Sequence, residues 1–506
     1  MRVFSFRRHK VWACIAALVV VAAALLGRPA IHLLVAAWRD VDELRPSPAG
    51  YVDDASRMNA THVTEVWTAP GGAKPQADGE AARELAALLR RAGEEGKRVS
   101  IAGARHTMGG HTIAADGIYV DMTSLKGMTL DAERKVLTVQ AGARWSEVIA
   151  LLDRHDLSVG VMQSNNSFSV GGSLSCNCHG WSFGKPSIAS TVESLRLMLA
   201  DGSIVRCSRE ENEELFSLAL GGYGLFGIIL DANLRVVPNE RYRLEQFVVP
   251  ITEGFSTFEA RVNGRDDVAM CYARLGIAPQ SFLQDAIINV LYVDPAADGA
   301  LPPLMEARST ELRRRMFRGS VGSDYGKKLR WSAEAKLQPQ LNERYFSRNQ
   351  LLNEGVEVFQ NRSAGSTDIL HEYFVPREGT VRFVSDMARI VRAHGQDLLN
   401  VTVRYVATDE DTLLRYADRE LLAFVMLFHQ AATAEGDARM EAMTRELIDA
   451  SLAAGGRYYL PYRLHASREQ FGRAYPQGEE FFRLKRKYDP EELFQNQFYL
   501  KYGAKL

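Results

Sequence analysis

The chain has 506 residues, which is enough for more than one hydrophobic core. It carries 61 Lys and Arg against 62 Asp and Glu, so its charge does not indicate a nucleic-acid partner. The 5 cysteines are too few and too scattered for a disulfide framework.

The N-terminus combines basic residues with an apolar run. Arg2, Arg7, Arg8 and Lys10 precede the uncharged stretch Val11–Leu26, which alone is short for a bilayer span of about 17–25 residues. Residues 1–40 are expected to be an uncleaved membrane anchor, with a cleaved secretory signal or a peripheral helix as alternatives. The basic flank places the body of the protein on the non-cytoplasmic side; cleavage would make it secreted or periplasmic.

Short strands and helices follow a linker at residues 41–60. Helical spacing over residues 82–92 predicts an amphipathic helix that ends at Gly93. Ser146 is the expected N-cap of a second helix. The sequence also predicts a hairpin around Asp201-Gly202 and several strands, namely Val99–Ala102, Ile118–Asp121, Val136–Val139 and Gly227–Val237.

The middle of the chain, residues 241–459, has a different pattern and predicts a second α+β unit. Leu413–Gln430 and Arg439–Ala454 are expected to be helical. Isolated strands are expected at Ile287–Val293 and Val401–Val406. The tail, residues 460–506, returns to turn-rich motifs.

Three turns rich in small residues lie beside predicted strands: Ile101–His111, Ser169–Ser175 and Gly221–Ile229. Small residues let backbone N–H groups approach an anionic group closely, as a pyrophosphate requires. The turns match neither G-x-G-x-x-G nor a Walker loop. One extended ligand that crosses several strand ends would explain all three.

These turns resemble motifs of the vanillyl-alcohol-oxidase superfamily, the PCMH-type FAD-binding oxidoreductases. Gly103–Thr107 resembles the family's G-x-x-H-S turn, Ser169–Ser175 its T-V-G-G-x-x-S, and Gly221–Ile229 its G-G-x-G-x-F-G-I-I. The tail Tyr488-Asp489-Pro490, with Phe494 and Asn496, is similar to the family's closing motif. The spacing around Asp121–Leu125 also resembles that of the cytokinin dehydrogenases.

The resemblance implies FAD as the cofactor and an α+β fold. Residues 61–240 would form a two-part FAD-binding domain, residues 241–459 a substrate domain, and residues 460–506 a segment that returns to the FAD domain. His106 would carry a covalent link to the flavin. The implied cofactor-binding residues are Ile101, Gly103, Ala104, Arg105, His106, Thr107, His111, Ser164, Ser169, Gly171, Gly172, Ser175, His179, Gly227, Ile229 and Asn496.

A metal site has less support than a flavin site. Cys176, Cys178 and His179 lack the second ligand pair of a zinc site, so no metal is expected. Cys178-His179-Gly180 instead resembles the T-H-G of aldonolactone and alditol oxidases. His111 is interpreted as a structural histidine, because the matching family position mostly lines the cofactor loop.

The sugar-oxidising members suggest catalytic candidates in the second unit. Arg404 matches the Arg of their E-x-R strand, but Thr402 replaces the Glu. His465 falls where they have a Lys, and Ser164 falls where cytokinin dehydrogenases have their catalytic Asp. The candidates are Arg404 for charge, His429 or His465 as the base, and Glu372 for orientation.

The expected reaction is oxidation of a CH–OH group of a polyol, sugar or aldonolactone by hydride transfer to flavin N5. Oxygen or a quinone-type acceptor would reoxidise the flavin. One alternative is a membrane-linked dehydrogenase acting on a lipid-linked sugar or a sterol. Another is a non-catalytic flavin-fold binding protein.

Overall fold

The computed structural model describes residues 27–40, 42–70, 79–294, 301–304, 310–337 and 345–504. The apolar run Val11–Leu26 lies outside them, and residues 27–39 are helical (α1). Among the described residues, no helix combines the length and apolar character needed to cross a membrane. The mixture of helices and sheets agrees with the predicted α+β class.

A three-stranded parallel sheet opens the fold, after the short pair β1 (Tyr51–Val52) and β2 (Thr61–His62). Its strands are β3 (Glu65–Thr68), β4 (Val99–Ala102) and β5 (Ile118–Asp121), in the order β3-β5-β4. Helix α2 (Glu80–Glu94) covers it with the apolar face that the sequence predicted. The predicted stop at Gly93 is wrong, because α2 continues to Glu94.

A six-stranded antiparallel sheet follows, with order β10-β9-β11-β7-β6 and β8 paired to β11. Its strands are β6 (Met128–Asp131), β7 (Val136–Gln140), β8 (Leu157–Val159), β9 (Val192–Met198), β10 (Ile204–Ser208) and β11 (Ile228–Pro238). The predicted hairpin is confirmed as β9–β10, with Gly202 at φ +83° in the turn.

Three helices accompany this sheet: α3 (Trp145–Asp153), α4 (Val170–Cys176) and α5 (Glu213–Ala219). Ser146 is not the N-cap of α3, because the helix begins at Trp145 and its N-cap is Arg144, two residues before Ser146. Its N-terminus is closed by Glu147, whose carboxylate accepts the Arg144 N–H at 2.8 Å.

An eight-stranded antiparallel sheet forms the second unit, in the order β15-β12-β14-β13-β17-β18-β16-β19. Its strands are β12 (Arg241–Pro250), β13 (Val268–Leu275), β14 (Asp285–Val293), β15 (Tyr345–Ser347), β16 (Ser366–Val375), β17 (Asp397–Val406), β18 (Leu421–Ala431) and β19 (Arg457–Tyr458). The helix predicted over Leu413–Gln430 is wrong, because β18 occupies most of it.

Helices flank this sheet and close the chain. They are α6 (Ile251–Val262), α7 (Thr310–Arg318), α8 (Asp324–Ser332), α9 (Arg348–Leu352), α10 (Thr380–His394), α11 (Ala434–Ala453), α12 (Arg468–Ala474), α13 (Gly478–Tyr488) and α14 (Gln497–Tyr502). A π-helical turn, Ala333–Leu337, follows α8. Single 3₁₀ turns lie at Ile188–Thr191, Pro279–Ser281, Val356–Phe359 and Arg377–Gly379. The tail reaches the first sheet, where Phe494 forms a parallel bridge with Val99.

Candidate active site

A cavity of about 1090 Å³ lies between the small-residue turns and one face of the eight-stranded sheet. This volume is slightly above the roughly 300–1,000 Å³ usual for ligand pockets, as a large cofactor plus a substrate would require. The predicted residues that line it are Ile101, Gly103, Ala104, Arg105, His106, Thr107, His111, Ser164, Ser169, Gly171, Gly172, Ser175, His179, Gly227, Ile229, Glu372 and Arg404.

The turns that line one end of the cavity touch each other. Ala104 N–H donates to Ser169 Oγ at 3.1 Å, which joins the turn after β4 to the start of α4. A side chain at Gly103 would meet that hydroxyl at 2.1 Å. Gly227, before β11, has φ +149° and lies against the Met198 carbonyl. A side chain at Gly103 would displace the Ser169 hydroxyl, and one at Gly227 would clash with backbone at a positive φ, so both positions favour glycine.

His106 is buried beside this end of the cavity. Its ring stacks on Phe168 with centroids 4.0 Å apart, and Nε2 lies 3.3 Å from the Ser167 carbonyl. Nε2 therefore carries the proton, and Nδ1 keeps its lone pair. Burial lowers the pKa of His106 to about 4, and the charges of Arg144 and Arg105 act in the same direction. The ring is therefore neutral at pH 7.

Glu372 on β16 is the centre of a buried hydrogen-bonded group at the opposite wall. His179 Nε2 donates to its Oε1 at 2.6 Å, and the Tyr462 hydroxyl donates to its Oε2 at 3.0 Å. Burial alone would raise the pKa of Glu372, but His179, Arg404 and Tyr462 together lower it. The carboxylate is therefore ionised. Tyr462 was not among the site residues predicted from the sequence, although it lies three positions before the candidate base His465.

Arg404 on β17 lines the same wall. Its Nη2 donates to Ser164 Oγ at 2.9 Å, and its Nε is buried with no hydrogen-bond partner among the described residues. Thr402, two residues earlier on β17, points to the same face because side chains alternate along a strand. The cavity wall here therefore carries a guanidinium and a hydroxyl.

Three predicted site residues do not line the cavity. His465 binds Asp437 and Thr444 through its two ring nitrogens, at 3.0 and 3.1 Å. His429 Nδ1 lies 2.7 Å from Asp368 Oδ1, behind a side chain that does line it. Asn496 donates to the carbonyls of His111 and Tyr223, both at 2.9 Å, and so fixes the turns from behind.

Two family models match the chain. One is described as an FAD binding domain and matches residues 79–208; the other is described as D-arabinono-1,4-lactone oxidase and matches residues 321–502. The first match contains the Gly103–Thr107 and Ser169–Ser175 segments that line the cavity, and the second contains Glu372 and Arg404 on the opposite wall. The chain belongs to the vanillyl-alcohol-oxidase superfamily. It is an FAD-dependent oxidoreductase that acts on CH–OH donors.

Relatives of this flavoenzyme support the same placement. L-Gulonolactone oxidase of Mus musculus is 22% identical over 84% of this chain and 93% of the relative. Decaprenylphosphoryl-beta-D-ribose oxidase of Mycolicibacterium smegmatis is 24% identical over 80% of this chain and 89% of the relative. Cytokinin dehydrogenase 2 of Arabidopsis thaliana is 26% identical over 41% of this chain and only 42% of the relative.

The residues present in the flavoenzyme fit FAD. The Thr107 hydroxyl is buried at the glycine-rich end and has no hydrogen-bond partner among the described residues. At the other end of the cavity, Arg404 Nε is also buried and has no hydrogen-bond partner among the described residues. Buried polar groups without partners are rare, so donors of this kind at both ends of one cavity indicate an acceptor-rich ligand. Both groups line the same cavity of about 1090 Å³, which a dinucleotide that extends from the turns to the sheet would occupy.

Proposed function

We propose that the protein oxidises a secondary or hemiacetal CH–OH group of a polyol, sugar or aldonolactone, with FAD as the hydride acceptor. The observation that carries this proposal is that one cavity joins the glycine-rich turns to Arg404 and Glu372. Gly103–Thr107 and Ser169–Ser175 would hold the pyrophosphate with backbone and hydroxyl donors. The eight-stranded sheet would then hold the substrate against the isoalloxazine ring.

The residues of the sheet have separate roles in this proposal. Arg404 supplies positive charge at the wall where negative charge develops, and its unpartnered Nε is available for that purpose. Tyr462 accepts the proton of the substrate hydroxyl while it passes its own proton to Glu372 Oε2, 3.0 Å away. His179 holds Glu372 from the other side and orients the carboxylate.

His106 is the proposed attachment point of the flavin. Its Nδ1 lone pair is free, and its low pKa keeps the ring neutral, as a nucleophile must be. Replacing His106 with Ala is expected to give protein that binds FAD reversibly and loses all yellow colour on acid precipitation. The wild-type protein is expected to keep its colour in the pellet. The matched control is His111→Asn, which should change folding yield rather than the covalent fraction.

A substrate screen tests the proposed reaction. Purified holoenzyme is mixed anaerobically with polyols, aldoses and aldonolactones, and bleaching of the flavin absorption band is recorded. Bleaching by any of these classes supports the proposal, and FAD-loaded protein that none of them bleaches contradicts it. Reoxidation by air or only by a quinone then identifies the electron acceptor as oxygen or a quinone.

We also propose that the protein is held at a membrane with its catalytic body on the non-cytoplasmic side. The support is the basic flank and apolar run at the start of the sequence. Helix α1 continues this apolar character, because Leu34 and Trp38 are 70% and 82% exposed. Cell fractionation tests the proposal: full-length protein should sediment with membranes and resist carbonate extraction, whereas protein lacking residues 1–39 should be released.

A lipid-linked sugar is a second candidate substrate class, and the position of α1 favours it. His32 and Leu33 of α1 line the cavity, and His32 Nε2 donates to the Gly319 carbonyl at 2.8 Å. The helix that contributes these two lining residues therefore also carries exposed apolar side chains, Leu34 and Trp38. Flavin bleaching by a prenyl-linked sugar in detergent, but not by the free sugar, would select this candidate.

A further inference from the structure

The far end of the substrate wall carries an arginine directly beside Thr402. Strand register pairs Arg274 on β13 with Thr402 on β17, and Thr402 with Val425 on β18. Val425 pairs with Glu372 on β16. Adjacent strands lie about 4.8 Å apart, so Arg274 is one strand from Thr402 and about 14 Å from Glu372. One row of cross-strand neighbours in the sheet thus runs from the Glu372 carboxylate to the Arg274 guanidinium.

Two arginines at this end of the cavity, Arg274 and Arg330, share one carboxylate, Glu334. Glu334, on the π-helical turn, binds Arg274 Nη2 at 3.1 Å and Arg330 Nε at 2.9 Å. Both arginines and Glu334 line the cavity. Among the described residues, this one carboxylate is the acidic partner of both guanidiniums, so the group keeps one excess positive charge. Burial lowers the pKa of Arg330, which reflects the cost of holding that charge away from water.

Two hydrogen-bond donors at this end have no partner. Arg274 Nε and Trp181 Nε1 are buried without an acceptor among the described residues. Trp181 stacks on Tyr272, with ring centroids 4.6 Å apart, and both rings line the cavity. Uncompensated charge and unpaired donors together call for an oxyanion, because carboxylate and phosphate oxygens satisfy both.

We propose that Arg274 and Arg330 bind an anionic group of the substrate, a carboxylate or a phosphate ester. This inference rests on the proposed function, and it narrows the substrate to a sugar or polyol that carries an oxyanion remote from the oxidised carbon. The sugar-oxidising enzymes that the chain resembles have a Glu where Thr402 stands. The loss of that carboxylate beside Arg274 removes the negative charge that would repel such a group.

Calorimetric titration of the holoenzyme tests the anion site without turnover. The probes are gluconate and inorganic phosphate, with glucitol as the neutral match for gluconate. We expect gluconate or phosphate to bind and glucitol to bind at least tenfold more weakly. Arg274→Gln should weaken anion binding by about 10- to 100-fold, the value of a charged hydrogen bond. Arg389→Gln, on the exposed surface of α10, is the matched control and should change nothing.

The Glu334→Gln variant distinguishes an anion-binding role of Arg274 from a purely structural one. If Arg274 binds an anion, removal of the competing carboxylate should tighten binding of gluconate or phosphate. If the three charges only join the π-helical turn to the sheet, Arg274→Gln and Glu334→Gln should both lower the melting temperature and leave anion affinity unchanged, which overturns the inference. Preference for gluconate over phosphate identifies a sugar acid, and the reverse identifies a phosphate ester.

The outcome for the anion site is distinguishable from that for the proposed function. Flavin bleaching by neutral polyols at the same rate as by their acidic counterparts would overturn the inference and leave the proposed oxidation intact. Tight anion binding without bleaching by any sugar, sugar acid or sugar phosphate would contradict the proposed oxidation. The inferred anion site would still be supported.

Discussion

Replacing Glu372 with Gln is expected to slow flavin reduction by about 10²- to 10⁴-fold, the usual contribution of a positioned general base. The amide keeps the size of the side chain and can still bind His179 and Tyr462, but it cannot take a proton at neutral pH. FAD content should not change, because Glu372 lies on the sheet and not on the glycine-rich turns. Anaerobic stopped-flow measurement of flavin bleaching gives the rate.

The pH dependence of flavin reduction shows whether Glu372 takes up a proton or only positions other groups. The pKa of Glu372 is lowered in the folded protein, so the carboxylate stays ionised until the pH falls below the ordinary glutamate value of 4.5. The wild-type rate of reduction should therefore decline only on that acidic side, where Glu372 gains a proton. In Glu372→Gln this acidic decline should disappear. A variant that keeps the wild-type profile at a lower rate would reassign Glu372 to positioning alone.

Two companion variants test the choice of base. Tyr462→Phe removes the hydroxyl that connects Glu372 to the cavity, so it should slow reduction nearly as much as Glu372→Gln. His465 is a candidate base from the sequence but does not line the cavity, so His465→Ala should leave the reduction rate nearly unchanged. A strong loss in His465→Ala with an unchanged rate in Tyr462→Phe would restore His465 as the base.

The cofactor end of the cavity could be predicted from the sequence because its requirements are local. A turn such as Gly103–Thr107 needs small residues within a few positions of one strand, and the sequence shows them directly. Each such turn was predicted to lie beside a strand. The prediction of a turn at Ser169–Ser175 is wrong, because Ser169 is the N-cap of helix α4 and the rest of the segment forms most of that helix. Its Gly171 still lies against the backbone of Ala141, so the small residue is required there.

The substrate end could not be predicted with the same detail because it depends on strand register. Thr402 and Arg274 are far apart in sequence and meet only through the β13–β17 pairing. Tyr462 and His465 lie in one short irregular stretch, and no periodicity indicates which of them faces the cavity. Strand β18 was predicted as a helix because it is buried on both faces, so the polar alternation of a surface strand is absent.

Replacing Asp489 with Ala is expected to lower the free energy of unfolding by about 3–5 kcal/mol, the usual cost of breaking a buried ion pair. Asp489 belongs to the closing motif and is buried with Lys485, its ion-pair partner. Its oxygens also accept the N–H groups of Leu493 at 2.9 Å and Phe494 at 2.8 Å. The variant would leave a buried ammonium and two unpaired N–H groups. Urea unfolding followed by fluorescence measures the change.

The same variant should also weaken FAD binding, although no atom of Asp489 lines the cavity. Phe494 is held against β4 by Asp489, and Asn496 follows it and donates to the carbonyls behind the cofactor turns. Loosening the tail therefore loosens the turn after β4. Glu480→Ala, which removes an exposed ion pair with Arg483 on the same helix, is the control and should change neither property. Equal FAD affinity of the two variants would show that the closing motif does not support the cofactor site.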